Sequence, residues 1–328
     1  MRVLVTSARP YDKTFLTQAN SGRHDLVFIE SSLNPSTAGL AGGFEAVCCF
    51  VEDRLDSSTL KVLSGFGVRL ITLRAAGFNN VDLEEAKASG LRVMRVKSYT
   101  PEAVAEFAVA MILTLNRKTH RAFNRVRESN FLLDGLLGWT LRGKTAGIAG
   151  TGAIGTALAR ILAGFGMRLL GYDLVQNPEA IKLGLEYVQL ERLFKESDVL
   201  SLHLPLRPET RHTINERTLS LMKPDAMLIN TSRGGLVDTK ALIAALKRKR
   251  LGAVGLDVYE EEEGLFYRDH SLDAIDDDFM ARLLTFPNAL ITGHQAFFTE
   301  EALKEIAQKT IGNLDDFERG QANENTLV

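Results

Sequence analysis

Short apolar runs alternate with amphipathic stretches along most of the 328 residues. In the first hundred residues, five runs rich in β-branched residues predict buried strands: RVLVT (2–6), DLVFI (25–29), AVCCF (46–50), VRLITL (68–73) and LRVMRV (91–96). Helical patterns lie between several of them, such as STLKVLSGFG (58–67) and DLEEAKASG (82–90). This alternation predicts an α/β fold built on an open parallel sheet.

The pattern changes at Thr100, where residues 100–128 predict one long helix. Thr100 can cap this helix, Pro101 suits its first turn, and Glu102 favours the positive end of its dipole. We place a domain boundary at its start.

A second strand–helix series follows this boundary. Its predicted strands are KTAGIAG (144–150), MRLLGYD (167–173), LEYVQ (185–189), SDVLSLHLP (197–205), AMLINTS (226–232), LGAVGLDVY (251–259) and NALITG (288–293). A last amphipathic helix, residues 299–320, is expected to return to the first domain. The prediction is therefore a discontinuous domain, 1–99 plus 298–328, interrupted by a domain of residues 100–297, with the two crossings acting as a hinge.

Composition narrows the class of protein. The formal net charge of -2 gives no general attraction to nucleic acid or to an anionic membrane, so neither partner is expected. No apolar stretch approaches the length of a membrane span, and the N-terminus looks like a first strand, not a signal peptide. The two cysteines, Cys48 and Cys49, are adjacent on a predicted strand, so they form neither a disulfide with each other nor a zinc motif. We expect no metal and a reducing cytoplasm.

A glycine-rich loop, Gly150-Thr-Gly152-Ala-Ile-Gly155, follows an apolar strand and opens a helical stretch. The acid Asp173 ends the next predicted strand. This is the arrangement that binds a dinucleotide: glycines for the turn, the close backbone approach and the helix packing, and an acid for the ribose hydroxyls. An acid at this position repels a 2′-phosphate, so the sequence favours NAD over NADP.

Chemically complementary side chains follow three predicted strands of the second series. Arg233 lies in NTSRGG, a run of four glutamates (260–263) follows GLDVY, and His294 lies in ITGHQAFF. An arginine can hold a substrate carboxylate, and a histidine supported by a carboxylate can donate a proton near neutral pH. The ends of parallel strands meet at one sheet edge, where ligands bind. Composition alone does not say which glutamate faces the histidine.

Seven motifs in one order resemble the D-isomer-specific 2-hydroxyacid dehydrogenase family. They are AAGFNNVD (75–82), YTPEAVAEFAVAMILTLNR (99–117), the glycine loop, SLHLPLRPET (201–210), INTSRGGLVD (229–238), GLDVYEEE (255–262) and TGHQAFFTEEAL (292–303). The similarity runs over essentially the whole chain. It implies two doubly wound parallel-sheet domains, a Rossmann NAD-binding domain inserted in a flavodoxin-like substrate domain, and a homodimer or homotetramer.

The resemblance also implies roles for single residues. The last acid of the family pattern D-x-Y-E-x-E pairs with the histidine, which implies Glu262 as the partner of His294, the acid/base, and Arg233 as the carboxylate-binding residue. The cofactor would be lined, besides the glycine loop and Asp173, by Ala153, Ile154, Leu204, Pro205, Thr210, Thr231, Ser232, Arg233 and Asp257. The substrate would meet backbone N–H groups of Ala76, Gly77 and Phe78, and a small pocket walled by Phe50, Tyr99 and Phe297.

The expected reaction is hydride transfer from NADH to pyruvate in a closing cleft, and the resemblance implies D-lactate as the product. Two alternatives stay open at this point. The substrate could be a larger or more polar 2-oxo acid, such as glyoxylate, hydroxypyruvate or phenylpyruvate, or the chain could be an NAD-sensing regulatory module on the same fold. One departure from relatives is Phe107, where they often carry histidine; we expect it to affect packing, not chemistry.

Overall fold

Two parallel β-sheets organise the chain, and all twelve predicted strands are present in them. The computed structural model describes residues 1–328. The strands are β1 Arg2–Val5, β2 Asp25–Phe28, β3 Ala46–Cys49, β4 Leu70–Leu73, β5 Arg92–Met94, β6 Thr145–Ala149, β7 Arg168–Tyr172, β8 Glu186–Tyr187, β9 Val199–Leu202, β10 Met227–Asn230, β11 Ala253–Leu256 and β12 Ala289–Ile291. Each lies inside its predicted run and is one to five residues shorter, because the ends of the runs form the loops on either side of the strands.

Twelve α-helices connect and cover the strands. They are α1 Pro10–Asn20, α2 Ser57–Gly65, α3 Leu83–Ala88, α4 Pro101–Arg117, α5 Thr119–Arg127, α6 Ala153–Gly164, α7 Pro178–Lys182, α8 Leu190–Glu196, α9 Glu216–Leu221, α10 Thr239–Lys247, α11 Asp278–Leu284 and α12 Glu300–Glu318. Short 3-10 turns occupy Ala38–Ala41 and Gly234–Leu236. No helix combines the length and the apolar character needed to cross a membrane.

The prediction of one long helix after Thr100 is wrong, because the chain forms two helices, α4 and α5. Lys118 interrupts them with a left-handed backbone (φ +51°), which no α-helix can continue through. The Lys118 ammonium donates to Leu137 O and Asn116 exchanges hydrogen bonds with the backbone of Trp139, so the following segment folds back onto this break. Residue periodicity carries no information about such a single-residue change of backbone hand.

Contacts divide the chain into two structural units. The first unit comprises Met1–Thr100 and Phe298–Val328, and the second comprises Pro101–Phe297. The first unit's sheet has the order β2-β1-β3-β4-β5 and the second unit's has β12-β11-β10-β9-β6-β7-β8. Every pairing is parallel. These are the flavodoxin-like and Rossmann orders, so the predicted fold class of two doubly wound sheets is confirmed.

Apolar strands and helix faces form the core of each unit. In the first unit, α12 packs on α1 and β4. Cys48 and Cys49 are free and buried in this unit, and burial raises the pKa of both thiols. In the second unit, α4 packs on α6, β10 and β11, and Phe107 packs against the same core, as expected of a packing position.

Candidate active site

The glycine loop joins β6 to α6 and is shaped by two glycines that admit no side chain. Gly150 has φ +96°, and a Cβ there would lie 2.5 Å from His203 O. A Cβ on Gly155 would lie 2.0 Å from Gly150 O, so helix and strand approach too closely for any other residue. Gly152, in contrast, is exposed with open space around it and begins α6 without a side-chain cap. The first N–H groups of α6 are therefore available to an anionic ligand.

Asp173 stands directly after β7 and is oriented by the backbone around it. Its Oδ2 accepts the N–H of Thr151, inside the glycine loop, at 2.7 Å, and its Oδ1 accepts the N–H of Leu174 at 2.7 Å. The second donors to these oxygens, Thr151 Oγ1 at 3.3 Å and Val175 N–H at 3.5 Å, lie at long distances, so ribose hydroxyls can take their place. The arrangement ties the acid to the loop that would hold the pyrophosphate.

Further predicted cofactor residues lie in the loops after β9 and β10. Ser232 Oγ donates to Leu204 O (2.7 Å) and so joins the two loops, while Thr210 Oγ1 donates to Pro205 O (2.6 Å). Thr231 is buried, and its hydroxyl has no hydrogen-bond partner within the protein. A buried hydroxyl without a partner is costly, which fits a cofactor that supplies the missing hydrogen bond.

Arg233 lies in a tight turn after β10. The Asn230 carboxamide braces the turn, because its oxygen accepts Ser232 N–H (3.1 Å) and its nitrogen donates to Arg233 O (2.8 Å). The Arg233 guanidinium donates to Ser232 O (2.6 Å). Of the five N–H donors of a guanidinium, others remain to bind a carboxylate. The hydrophobic periodicity did not predict this bracing role of Asn230. An asparagine at the end of a buried strand, here fully buried, is the signal that could have indicated it.

His294 lies in the loop after β12, and Asp257, after β11, fixes that loop. Asp257 is fully buried. Its carboxylate accepts hydrogen bonds from the Thr292 hydroxyl (2.6 Å) and from the N–H groups of Gln295 (2.9 Å) and Ala296 (2.8 Å). The backbone N–H of His294 donates to the backbone carbonyl of Asp257 (2.7 Å). His294 has a left-handed backbone, with φ +53°. The contacts give Asp257 a part in holding the histidine loop, which the sequence did not suggest.

The structure brings Glu262 and His294 together. Glu262 Oε1 lies 3.0 Å from His294 Nδ1, and its Oε2 accepts the N–H of Tyr259 at 3.0 Å. Glu261 and Glu263 are exposed, whereas Glu260 faces Arg211 and His212. The geometry thus answers the question that composition left open. With Nδ1–H donated to the carboxylate, Nε2 is the ring nitrogen that remains for a substrate.

The predicted substrate residues Ala76, Gly77, Phe78, Phe50 and Tyr99 lie in the first unit, in loops that follow β3, β4 and β5. The structure places Phe297 at the end of the second unit.

Two of these loops are held by named contacts. The Asn80 amide group donates to both Phe50 O (3.1 Å) and Asp53 O (2.8 Å), and Arg95 donates to Ala76 O (2.7 Å). The Phe50 side chain is only 6% exposed, and the Arg74 guanidinium lies over its ring. Such an environment is typical of a residue that packs in a core. A role for Phe50 in a substrate pocket stays a prediction.

Comparison with known proteins decides the family. A family model described as D-isomer specific 2-hydroxyacid dehydrogenase, NAD binding domain, matches residues 109–296. The chain belongs to the D-isomer-specific 2-hydroxyacid dehydrogenase family. This confirms the resemblance drawn from the motifs.

Relatives and a solved structure extend the match over the whole chain. It is 54% identical to D-lactate dehydrogenase kk1H of Curvularia clavata, covering 100% of this chain and 95% of that protein. It is 52% identical to D-lactate dehydrogenase of Escherichia coli strain K12, covering 100% of both. The apo-structure of the Escherichia coli enzyme superimposes with a TM-score of 0.91 at 50% identity and covers 100% of both chains.

Membership of this family makes the chain an NAD-dependent oxidoreductase, and the predicted cofactor, NAD, is confirmed. The 2-hydroxyacid dehydrogenase NAD-binding domain corresponds to most of the second unit. The uncapped start of α6, Asp173 and the buried Thr231 hydroxyl are the features of this chain that fit such a cofactor.

Proposed function

We propose that the chain is an NAD-dependent D-lactate dehydrogenase that reduces pyruvate to D-lactate reversibly. The observation that carries the proposal is the 3.0 Å pair of His294 Nδ1 and Glu262 Oε1, on a loop fixed by the buried Asp257. It is supported by relatives over half identical along the whole chain that are named D-lactate dehydrogenases.

In the proposed mechanism, Arg233 binds the substrate carboxylate with its planar fork of donors, which fixes the orientation of the adjoining carbonyl. The glycine loop and Asp173 would hold NADH, which would supply the hydride that the carbonyl carbon accepts. Protonated His294 donates its Nε2 proton to the carbonyl oxygen, and Glu262 stabilises the imidazolium through Nδ1–H. In the reverse direction His294 takes the proton back as a base. The 2-oxo acid thus meets one fixed cation and one proton donor.

Further parts of the proposal concern binding. Backbone N–H groups of Ala76, Gly77 and Phe78 contribute to carboxylate binding, and Phe50, Tyr99 and Phe297 restrict the substrate side chain. The cofactor contacts are those of the glycine loop, Asp173 and the residues after β9, β10 and β11. Substitution of Phe50, Tyr99 or Phe297 tests the substrate pocket, with pyruvate KM as the measurement, and substitution of the cofactor residues is tested by NADH affinity.

The activity test uses purified protein, NADH or NADPH, and a panel of 2-oxo acids, with loss of NADH absorbance as the signal. We expect fastest turnover with pyruvate and NADH, and D-lactate as the product. Faster turnover with glyoxylate, hydroxypyruvate or phenylpyruvate would replace the substrate and keep the site. Tight NADH binding with no turnover of any acid would favour an NAD-sensing module instead.

A matched pair of variants tests the proton donor. His294→Gln should lower kcat by about 10²–10⁴-fold, because it removes the general acid while leaving a side chain of similar size. His120→Gln, on α5, a helix that carries none of the proposed site residues, serves as the control and should leave kcat unchanged. Full turnover in His294→Gln would exclude this residue as the acid.

We also propose that the chain is a homodimer, or a homotetramer built from that dimer. A run of large apolar side chains on α5 and in the segment after it is exposed: Phe123, Val126, Phe131, Leu132, Leu133 and Leu137, the last at 88%. An apolar surface of this kind is typical of a protein interface. The apolar residues of α4, by contrast, are largely buried within the second unit. Light scattering of Leu133→Glu/Leu137→Glu should show monomers if this surface pairs two copies.

The two buried, unpaired cysteines support a reducing compartment, and we propose the cytoplasm. A fluorescent fusion of the full chain, imaged in its native cell, tests this placement.

A further inference from the structure

Glu260 lies two residues before Glu262 and forms a separate cluster with Arg211, His212 and Thr239. Its Oε1 accepts from Arg211 (3.0 Å) and His212 Nε2 (2.5 Å), and its Oε2 accepts Thr239 N–H (3.2 Å) at the start of α10. The Glu260 side chain is only 13% exposed. Three donors, one of them at a helix N-terminus, therefore hold one carboxylate in place.

The cluster is connected to the turn that carries Arg233. The backbone N–H of His212 donates to the carbonyl oxygen of Gly235 (2.9 Å), which lies two residues beyond Arg233. A Cβ on Gly234 would lie 2.0 Å from the backbone carbonyl of Tyr259 and 2.5 Å from Glu260 N. The Arg233 turn thus packs directly on the backbone of the segment that Glu260 fixes.

The same segment carries the carboxylate that faces His294. Tyr259 N–H donates to Glu262 Oε2, so the backbone next to Glu260 orients the acid that pairs with the histidine. A displacement at Glu260 would move the Arg233 turn and the Glu262 carboxylate together.

We infer that Glu260 is a positioning residue. Through His212 and Arg211 it fixes the position of the Arg233 turn relative to the Glu262–His294 pair. The inference rests on the proposed function, because it assigns Glu260 to the geometry of that reaction. Glu260 does not touch the reacting atoms; its effect passes through Arg233 and Glu262. Misplacement of such groups by about 1 Å can cost on the order of a hundredfold in rate.

The four-glutamate run offers its own controls. Glu260→Gln removes the charge but keeps the size of the side chain, while Glu261→Gln and Glu263→Gln make the same change at exposed neighbours. We expect Glu260→Gln to raise pyruvate KM about tenfold or more and to lower kcat, with NADH affinity changed less than about twofold. The control variants should match the wild type in all three quantities.

The split between KM and kcat separates positioning from simple loss of folded protein. A variant that is merely less folded loses apparent kcat at unchanged KM, and that result for Glu260→Gln would overturn the inference. Arg211→Ala provides a second route, because Arg211 is 55% exposed and its removal leaves the core intact. It should raise pyruvate KM in the same direction, and the double variant should show less than the product of the two single effects.

An activity-independent measurement keeps this test apart from that of the proposed function. Amide hydrogen exchange of peptides covering residues 233–240 and 257–264 should quicken in Glu260→Gln and not in the two controls. If the wild type reduces no 2-oxo acid, the proposed function fails, and exchange alone decides whether Glu260 holds the two segments. Equal exchange in all variants would overturn the inference.

Discussion

In each unit the first strand along the chain, β1 or β6, leads into a helix. The loops at these two strand–helix junctions use their hydrogen-bond donors differently. In the first unit, β1 runs into Thr6 and Ser7, whose hydroxyls donate to the buried carboxylate of Asp53 (2.8 and 2.9 Å). In the second unit, β6 runs into the glycine loop, where Gly152 is exposed at an uncapped helix start. One junction contains an anion of the chain itself, and the other leaves its N–H groups for an anion from outside.

This contrast shows that a doubly wound topology does not by itself create a dinucleotide site. Asp53 also accepts the N–H groups of Leu33 and Phe50 (both 2.6 Å), and Asp12 accepts the N–H of Arg9 at the start of α1. The donors around Asp53 and the N–H of Arg9 at the start of α1 are therefore already used within the chain. Loop residues, not strand order, decide which junction binds a ligand.

The largest effect is expected from removing the Asp53 carboxylate at the first junction. Asp53→Ala leaves two N–H groups and two hydroxyls without their acceptor in a site only 1% exposed. We expect a loss of roughly 3–5 kcal/mol in the free energy of unfolding, measured by urea denaturation, with NADH affinity unchanged. Asp56→Ala, which removes a partly exposed cap of α2, should cost only about 1 kcal/mol. If Asp53→Ala cost no more than this control, the carboxylate would not be holding the junction.

The second junction can be made to resemble the first. Gly152→Asp places a carboxylate at the start of α6, where the backbone (φ -63°, ψ -162°) accepts any residue and Asp is a good cap. We expect NADH affinity to fall about a hundredfold, or ~2.7 kcal/mol, because the new charge repels the pyrophosphate.

Gly164→Ala, in open space at the other end of the same helix, is the matched control for Gly152→Asp. The melting temperature of Gly152→Asp should be unchanged or higher. Unaltered NADH binding in fluorescence titration would show that α6 does not receive the pyrophosphate.

His203, whose carbonyl lies against the glycine loop, makes the second unit sensitive to acid. Burial lowers the pKa of His203 from 6.5 to about 4. Between these values the unfolded chain binds more protons than the folded one, so stability rises with pH and is lost on acidification toward 4. The loss should be on the order of 2–3 kcal/mol. His203→Asn should flatten the dependence of denaturation midpoint on pH from 4 to 6.5; parallel curves would contradict the assignment.

The smallest effect is expected away from both junctions. Phe107→His introduces the residue that relatives often carry, at a partly buried position of α4. The change should cost about 1 kcal/mol or less in unfolding free energy and leave kcat and pyruvate KM within about twofold. Steady-state kinetics beside a melting curve measures both quantities. A large loss of kcat would mean that this helix position takes part in the reaction.

Much of the fold was predictable because its signals are local. Buried parallel strands are continuous apolar runs, and all twelve were found in this way. The break at Lys118 was not, because a left-handed residue without glycine leaves no trace in periodicity. The glycine loop was also predictable, since the requirement at Gly150 and Gly155 is steric and only one residue type satisfies it.

The sequence by itself determined the two sheets, the dinucleotide loop and the types of side chain at the strand ends. Only the tertiary structure decided which of four adjacent glutamates serve which partner. Glu262 faces His294 and Glu260 faces His212, while Glu261 and Glu263 point to solvent. The physical reason is that a hydrogen bond depends on distances of a few tenths of an ångström between residues 32 and 48 positions apart in the chain, which no local pattern encodes.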